Sequence, residues 1–311
     1  MQFVYQCPVC KKALEQANKS FICKQNHTFD ISREGYVNFL LANQKKTKNP
    51  GDGKLMVESR QNFLDKGYYN PLSDEINKII KGFITGAGAG AEGKTKAGAR
   101  AKNGSETVYN ILDVGCGVGN YSGKLQKSLI NADFPTQVEL WGIDISRPAI
   151  KKASKSFPGI NFCIGSSFHL PYMDESLDLV FSIFAPFDSG EVFRVLKPGG
   201  IILLIRPGTN HLKELVELIY GRFQLQGTPL DLSANFDVSP VEKYHLKYKI
   251  NIRNNEDIMN LVSMTPYYWR LNAVNRERLS GLHELKTGMD FQLSLFRKNL
   301  ATRKYTISSP T

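Results

Sequence analysis

Residues 112–119 read Leu112-Asp113-Val114-Gly115-Cys116-Gly117-Val118-Gly119, an apolar run that ends in an acid and three alternate glycines. An apolar stretch this short, bounded by glycine, predicts a buried strand over Val108 to Val114, a tight turn, and a helix from about Asn120. Glycine admits backbone angles that a Cβ forbids, and it lets a chain pass close to a ligand. A helix opening straight after such a turn aims its free amides at the same place. The segment therefore prepares a backbone cradle for a nucleotide-like molecule and makes the chain an enzyme candidate.

A dinucleotide-binding turn needs Gly-x-Gly-x-x-Gly, whose third glycine would fall at position 120. That position is Asn120. The observed Asp-x-Gly-x-Gly-x-Gly, followed by Asp144 at the end of Trp141-Gly142-Ile143-Asp144, instead resembles the class I S-adenosylmethionine (AdoMet) methyltransferases. By that resemblance, Asp113 and the loop of Gly115, Gly117, Val118 and Gly119 cradle the methionine half of AdoMet, and Asp144 accepts both ribose hydroxyls. A carboxylate at a strand end suits two vicinal donors, because it accepts both in charge-assisted bonds. Leu196-Lys197-Pro198-Gly199-Gly200, leading into the apolar run Ile201 to Ile205, is a further feature common in these enzymes.

Downstream, apolar strands alternate with helical stretches as βα units require. Strands are expected at Val108 to Val114, Val138 to Ile143, Asn161 to Ile164, Leu177 to Phe184 and Ile201 to Ile205, and helices near Asn120, Pro148, Gly190 and His211. Tyr244 to Ile252 and Phe291 to Arg297 alternate with period two around a helix at Glu256 to Ser263, which suits an antiparallel edge pair. The expected fold is α/β: a Rossmann-like, mostly parallel seven-stranded sheet with an antiparallel edge hairpin.

Cys7, Cys10, Cys23 and His27 stand at the spacing Cys-x-x-Cys, twelve residues, Cys-x-x-x-His. Two such knuckles close a four-ligand tetrahedron of the structural zinc type. A redox dithiol at Cys7 and Cys10, or buried apolar cysteines, are the competing readings. A redox Cys-x-x-Cys would open a helix in a thioredoxin-like unit. A segment of about 40 residues has little core of its own, so a metal would supply much of its folding free energy. Cys116 and Cys163 fit small buried packing positions.

The chain has 311 residues and a net charge of +11. Residues 1–70 hold eleven Lys or Arg against six Asp or Glu, and residues 81–104 hold five against one, so most of the excess precedes the glycine loop. Such a basic region suits phosphate backbones, or it is only a solvated surface. Helices are expected at Leu55 to Leu64 and Pro71 to Phe83, with a disordered Gly/Ala/Lys insertion at Gly86 to Gly104. No apolar run approaches the roughly 20 residues of a membrane helix, and Met1 to Cys10 lacks a signal-peptide pattern. A cytoplasmic protein with no membrane partner is expected. The divisions are 1–41, a zinc-binding RNA-recognition domain; 42–85, a basic linker and helices; 86–104, the insertion; and 105–311, the methyltransferase domain.

Over nearly its full length apart from the insertion, the chain resembles the 23S rRNA guanine-N1 methyltransferases, a group that includes macrolide-resistance enzymes. The resemblance is carried by Cys7-Pro8-Val9-Cys10, Cys23 to Asp30, Arg33 to Asn38, Pro50-Gly51-Asp52, Arg60 to Phe63, Gly67 to Leu72, Phe184-Ala185-Pro186, Pro207-Gly208 with His211-Leu212, and Met264-Thr265-Pro266 with Trp269-Arg270. It implies zinc at the three cysteines and His27, AdoMet in the glycine cleft touched by Tyr69 and His211, and a target guanine in a domain II hairpin. It also makes a homodimer plausible.

Methylation at N1 requires an exposed base edge and loss of the ring proton. Enzymes acting on exocyclic amines often carry Asp or Asn-Pro-Pro-aromatic after the fourth strand. Here Phe184-Ala185-Pro186-Phe187 lacks the acid or amide, which argues against that chemistry. Phe187 could stack on the base, the Ala185 carbonyl could accept from it, and Pro186 would stiffen the loop; Asp188 is the nearest carboxylate and the candidate base. Ser166-Ser167 replaces an acid found in many relatives, leaving the adenine contact to Ser167 or to backbone. His169, His245 and His283 have no constellation around them. Two other readings remain: a small-molecule methyltransferase, suggested by Leu170-Pro171-Tyr172 with Asp178, and a non-catalytic binding module.

Overall fold

The computed structural model describes residues 4–45, 47–87, 108–130, 137–221 and 232–300. From residue 88 on, the expected insertion lies outside the described residues.

The chain opens with a three-stranded antiparallel sheet of β1 (Leu14–Ala17), β2 (Ser20–Cys23) and β3 (Thr28–Asp30). Asn18 and Asn26 take left-handed backbone angles at its turns, a conformation asparagine tolerates better than most residues. β4 (Val37–Asn38) follows and adds itself in parallel to a strand more than a hundred residues away, as described below. Two helices come next, α1 (Lys54–Asp65) and α2 (Asn70–Thr85). The second has proline in its first turn and ends at Gly86, whose φ is +68°, the usual distribution of these two residues about a helix.

The remainder runs β5 (Val108–Val114), α3 (Asn120–Ile130), β6 (Gln137–Asp144), α4 (Arg147–Ser156), β7 (Asn161–Ile164), β8 (Leu177–Ile183), α5 (Ser189–Val195), β9 (Leu196–Pro207), α6 (Lys213–Tyr220), β10 (Val238–Ile252), α7 (Asn255–Ser263), α8 (Ala273–Ser280) and β11 (Leu285–Lys298). A 3-10 turn, Pro266–Arg270, joins α7 to α8. The large sheet has the order β10-β11-β9-β8-β5-β6-β7-β4. β5 pairs in parallel with β6 on one side and β8 on the other, and β11 runs antiparallel between β9 and β10. The order reverses at β5, which opens a crevice at the carboxyl ends of β5 and β8.

Seven strands follow the expected plan, and β4 is an eighth. Val37 pairs with Cys163 and Asn38 with Ile164, so the N-terminal unit covers the edge of β7 that would otherwise expose unpaired amides. Gln6 and Met173 amides bond the Pro171 and Val4 carbonyls across the same junction, and the Tyr5 ring packs within 5.4 Å of Phe21, Phe39, Trp141 and Tyr172. α6 starts at Lys213, two residues later than expected, because Leu212 adopts φ +54°. β9 begins at Leu196, so Lys197 to Gly200 belong to the strand, with Gly199 at φ +80°.

The two faces of the sheet carry separate cores, as period-two strands dictate. Ile111, Leu179 and Phe181 face one cluster together with Phe63, Leu72, Ile76 and Ile80 of α1 and α2. Leu112, Val114 and Val180 face the other with Cys7, Cys23 and Phe39. The helices within 42–85 therefore bury their apolar faces in the same core as the parallel strands.

Candidate active site and metal centre

A cleft of about 800 Å³ opens where β5 and β6 end. One wall is the loop 113–120. Gly115, Gly117 and Gly119 all have positive φ. Gly115 departs from the expectation that these glycines make room for a ligand. A Cβ on Gly115 would lie 2.2 Å from the Ala185 Cβ, so this glycine makes room for the loop after β8; one on Gly117 would meet only the Arg60 side chain, at 3.5 Å. Asp113 is 2% exposed and accepts a 2.6 Å bond from the Ser122 hydroxyl. Burial pushes its carboxyl up to about 7, with Asp144 adding to the rise and Ser122 opposing it. Asp144 is held by the amides of Gly117 and Ser146, at 2.9 and 2.8 Å, and burial raises its carboxyl too.

The opposite wall comes from distant segments. Arg60 of α1 pairs with Asp52, and its guanidinium donates to the Met264 carbonyl at 3.1 Å. Ser146 donates its hydroxyl to the Asp52 carbonyl at 2.7 Å, closing the loop 51–53 over the end of β6. Met56, Tyr69, Met264, Pro266 and Tyr267 complete this side. Tyr69 is buried against Phe63 and Phe291 and lines the cleft. His211 is buried between Phe184 and Phe291. Its Nδ1 accepts the Asp290 amide at 3.3 Å, which leaves the proton of the neutral ring on Nε2. Burial drives its pKa down to about 4 against the pull of Asp290.

The loop after β8 departs from the expectation. Phe184 takes φ +57° and its ring enters the cleft with Ala185 and Pro186. Phe187, the expected stacking ring, is not part of the lining and packs against the second core. Asp188, the candidate base, caps α5 by accepting the Glu191 amide at 2.8 Å and also stands outside the lining. A short helix without another cap claims this carboxylate, and Asp188 is not placed to act as the base. Ser167 lines the cleft and donates to the Pro186 carbonyl at 2.7 Å. Arg60 and Asp52 stood among the family motifs but gave no sign of a site role, since a lone arginine in an amphipathic helix reads as surface charge.

At the other end of the chain's first domain, Cys7, Cys10, Cys23 and His27 offer ligand atoms that all lie within 4.8 Å of one another. The Cys10 and Cys23 sulfurs are 3.5 Å apart, and the His27 Nδ1 is 3.6 Å from Cys7 and 3.4 Å from Cys23. Zinc bound at about 2.0–2.3 Å in a tetrahedron separates its ligand atoms by roughly 3.4–3.8 Å, so the cluster fits the ion. Burial raises the Cys23 thiol, but hydrogen bonds from the Gln25 and His27 amides and from the Cys10 and His27 side chains together bring it down to about 6, which favours the thiolate that zinc needs.

The sheet order, the glycine loop and the paired acids define a class I AdoMet-dependent methyltransferase carrying a zinc ribbon. The cleft fits the cofactor: its volume suits a nucleoside-sized ligand, and the Asn120 side-chain oxygen is buried in its wall without a partner. Residues 5–48 match the zinc-ribbon family described as RlmA, N-terminal, and residues 105–230 match a methyltransferase domain. The chain is 26% identical to the 23S rRNA (guanine(748)-N1)-methyltransferase of Streptomyces fradiae, over 92% of this chain and 94% of the relative. It is 29% identical to YxjB of Bacillus subtilis, provisionally named a 23S rRNA (guanine-N1)-methyltransferase, over 91% and 92%. A phthiotriol/phenolphthiotriol dimycocerosates methyltransferase of Mycobacterium ulcerans is 33% identical, but over only 39% of this chain and 44% of that protein. The chain thus joins a zinc ribbon to a methyltransferase domain, and over about nine-tenths of its length it is similar to proteins named 23S rRNA (guanine-N1)-methyltransferases.

Proposed function

We propose that this protein methylates N1 of a guanine in a domain II hairpin of 23S rRNA, acting in the cytoplasm, with residues 1–41 as the RNA-recognition unit. The observation that carries the reading is the docking of the N-terminal unit on the edge of the cleft's sheet through β4 and β7, in a chain similar to guanine-N1 enzymes over about nine-tenths of its length. AdoMet, when bound, supplies a methyl group made electrophilic by its sulfonium.

Asp144, already oriented by two amides, receives the ribose hydroxyls without reorganising. Asp113, the loop 115–119, Tyr69 and His211 hold the methionine end, and Ser167 or neighbouring backbone meets the adenine. The Phe184 ring offers a flipped guanine a stacking face, Pro186 stiffens the loop, and the Ala185 carbonyl accepts from the base edge. Among the described residues the only carboxylates lining the cleft are Asp52, Asp113 and Asp144. Each is already engaged, Asp52 by Arg60, Asp113 by Ser122 and Asp144 by two amides, so the N1 proton leaves to solvent or a backbone acceptor and the acceleration comes from positioning.

The test is methyl transfer from labelled AdoMet to unmodified 23S RNA, mapped by primer extension, since N1 methylation halts reverse transcriptase. A single stop in the domain II hairpin, abolished by Cys7→Ala, is the expected result. AdoMet binding without label in RNA, but with label in an added quinone or lipid acceptor, would transfer the assignment to small-molecule methylation, the reading favoured by the mycobacterial similarity.

A further inference from the structure

Among the described residues four aromatic side chains are exposed: Phe168, Phe184, Tyr220 and Trp269. Three of them, Phe168 at 49%, Phe184 at 43% and Trp269 at 71%, line this one cleft. Burying such a ring is worth about 1.5–3 kcal/mol, so a cluster left open at a cleft mouth marks a surface that a partner covers. Trp269 is the most exposed of the three, and its backbone belongs to an ordered turn. It sits in the 3-10 turn Pro266–Arg270 that packs against α7, with Tyr268 edge-on at 5.2 Å and Arg276 stacked over the Tyr268 ring at 5.2 Å. The same stretch, residues 264–281, carries Arg270, Arg276 and Arg278 against the single acid Glu277.

An exposed indole on an ordered turn, in a stretch rich in arginine, is complementary to an unpaired nucleobase with its phosphates. Phe184 lies deeper, beside Gly115 and His211, where the reacting base belongs. We propose that Trp269 is a substrate-binding residue that stacks on a second unpaired base next to the target guanine, so that the enzyme recognises its target as part of a single-stranded loop. This rests on the RNA methylation reading and adds to it a residue that selects unpaired RNA.

The chain has two tryptophans. Trp141 donates to Asn110 at 3.1 Å under the zinc ribbon, outside the cleft lining. In a Trp141→Phe protein the indole emission therefore reports Trp269 alone, and the same titrations on Trp269→Phe identify its contribution if the first variant folds poorly. An unmodified hairpin RNA with its loop unpaired should quench this emission, whereas AdoMet or a fully paired duplex of the same length should not. Trp269→Ala should weaken loop-RNA binding and raise the RNA KM by tenfold to a hundredfold, on the order of the loss of one base–aromatic stack. AdoMet affinity should be unchanged, and Trp269→Phe should retain most of the RNA affinity.

The proposal is overturned if Trp269→Ala binds and methylates the loop RNA as the parent does, or if it loses AdoMet affinity instead. It is also overturned if the effect appears only with a ribosomal particle and not with naked RNA, which would make the partner a protein. If the unaltered enzyme neither binds nor methylates RNA, the RNA reading falls as well; a parent enzyme active on RNA with an indifferent Trp269 defeats this inference alone.

Discussion

The two walls of the cleft are built on different principles. The wall of Asp113, the glycine loop and Asp144 comes from 32 consecutive residues, is buried, and has its acids held by Ser122 and by two backbone amides. The facing wall gathers residues 51–60, 184–186 and 264–269, and a single arginine, Arg60, ties Asp52 to a carbonyl 204 residues beyond itself. The first wall is a backbone conformation, so it tolerates little change. The second is a set of side-chain bridges and exposed rings, so it can be graded.

The largest expected effect is Gly115→Ala. A left-handed φ without glycine and a Cβ 2.2 Å from Ala185 together cost about 2–6 kcal/mol in stability or in a displaced 184–186 loop. Gly117→Ala, whose new Cβ would meet only a flexible arginine, should cost about 1 kcal/mol for its backbone alone. Thermal melts and AdoMet titration of both variants decide this. Equal losses would mean that the loop opposite does not constrain the first wall.

Next is a pH effect. His211 is held neutral with its pKa near 4, so as pH falls from about 6.5 to 4 the unfolded chain takes up a proton that the folded one refuses. Its contribution is complete above about 6.5 and is lost below, by up to about 3 kcal/mol. Asp113, raised to about 7, runs the other way: the folded chain keeps a proton the unfolded one releases, so stability falls as pH rises from about 4 to 7. The two slopes oppose each other in the intact protein. In His211→Gln the opposing histidine slope is removed while that of Asp113 stays, and denaturant melts between pH 4.5 and 7 should show stability declining with pH more steeply, or rising less, than in the parent. Parallel curves would show that His211 is not held neutral.

The smallest effect is Arg60→Met, which leaves the first wall untouched. AdoMet binding should weaken about 5- to 20-fold, the worth of one or two partly screened charged bonds, while the melting temperature moves only a few degrees. An unchanged dissociation constant would reduce the Asp52–Arg60–Met264 bridge to a surface feature.

The sheet was readable because β5, β6, β7 and β8 are short apolar runs closed by turn residues, and β10 and β11 alternate with period two. Cys7, Cys10, Cys23 and His27 were equally readable because ligand spacing restricts what a knuckle can enclose. Reading failed where one backbone angle redirects a loop. At φ +57°, Phe184 turns into the cleft and Phe187 into the core, and no propensity announces a left-handed phenylalanine. Asp188 misled for a related reason: an acid before a short helix serves as a cap as readily as a base.

The chain's own residue order settles the glycine turn, the two strand-end acids, the metal knuckles and the alternation of β and α, because each depends on backbone freedom or burial within a few neighbouring residues. The docking of β4 on β7, the burial of α1 and α2 in the main core, the Arg60 bridge and the placement of Trp269 at the cleft mouth were settled by assembly. Each joins segments far apart in the chain, and their contact depends on how the layers pack rather than on any local preference.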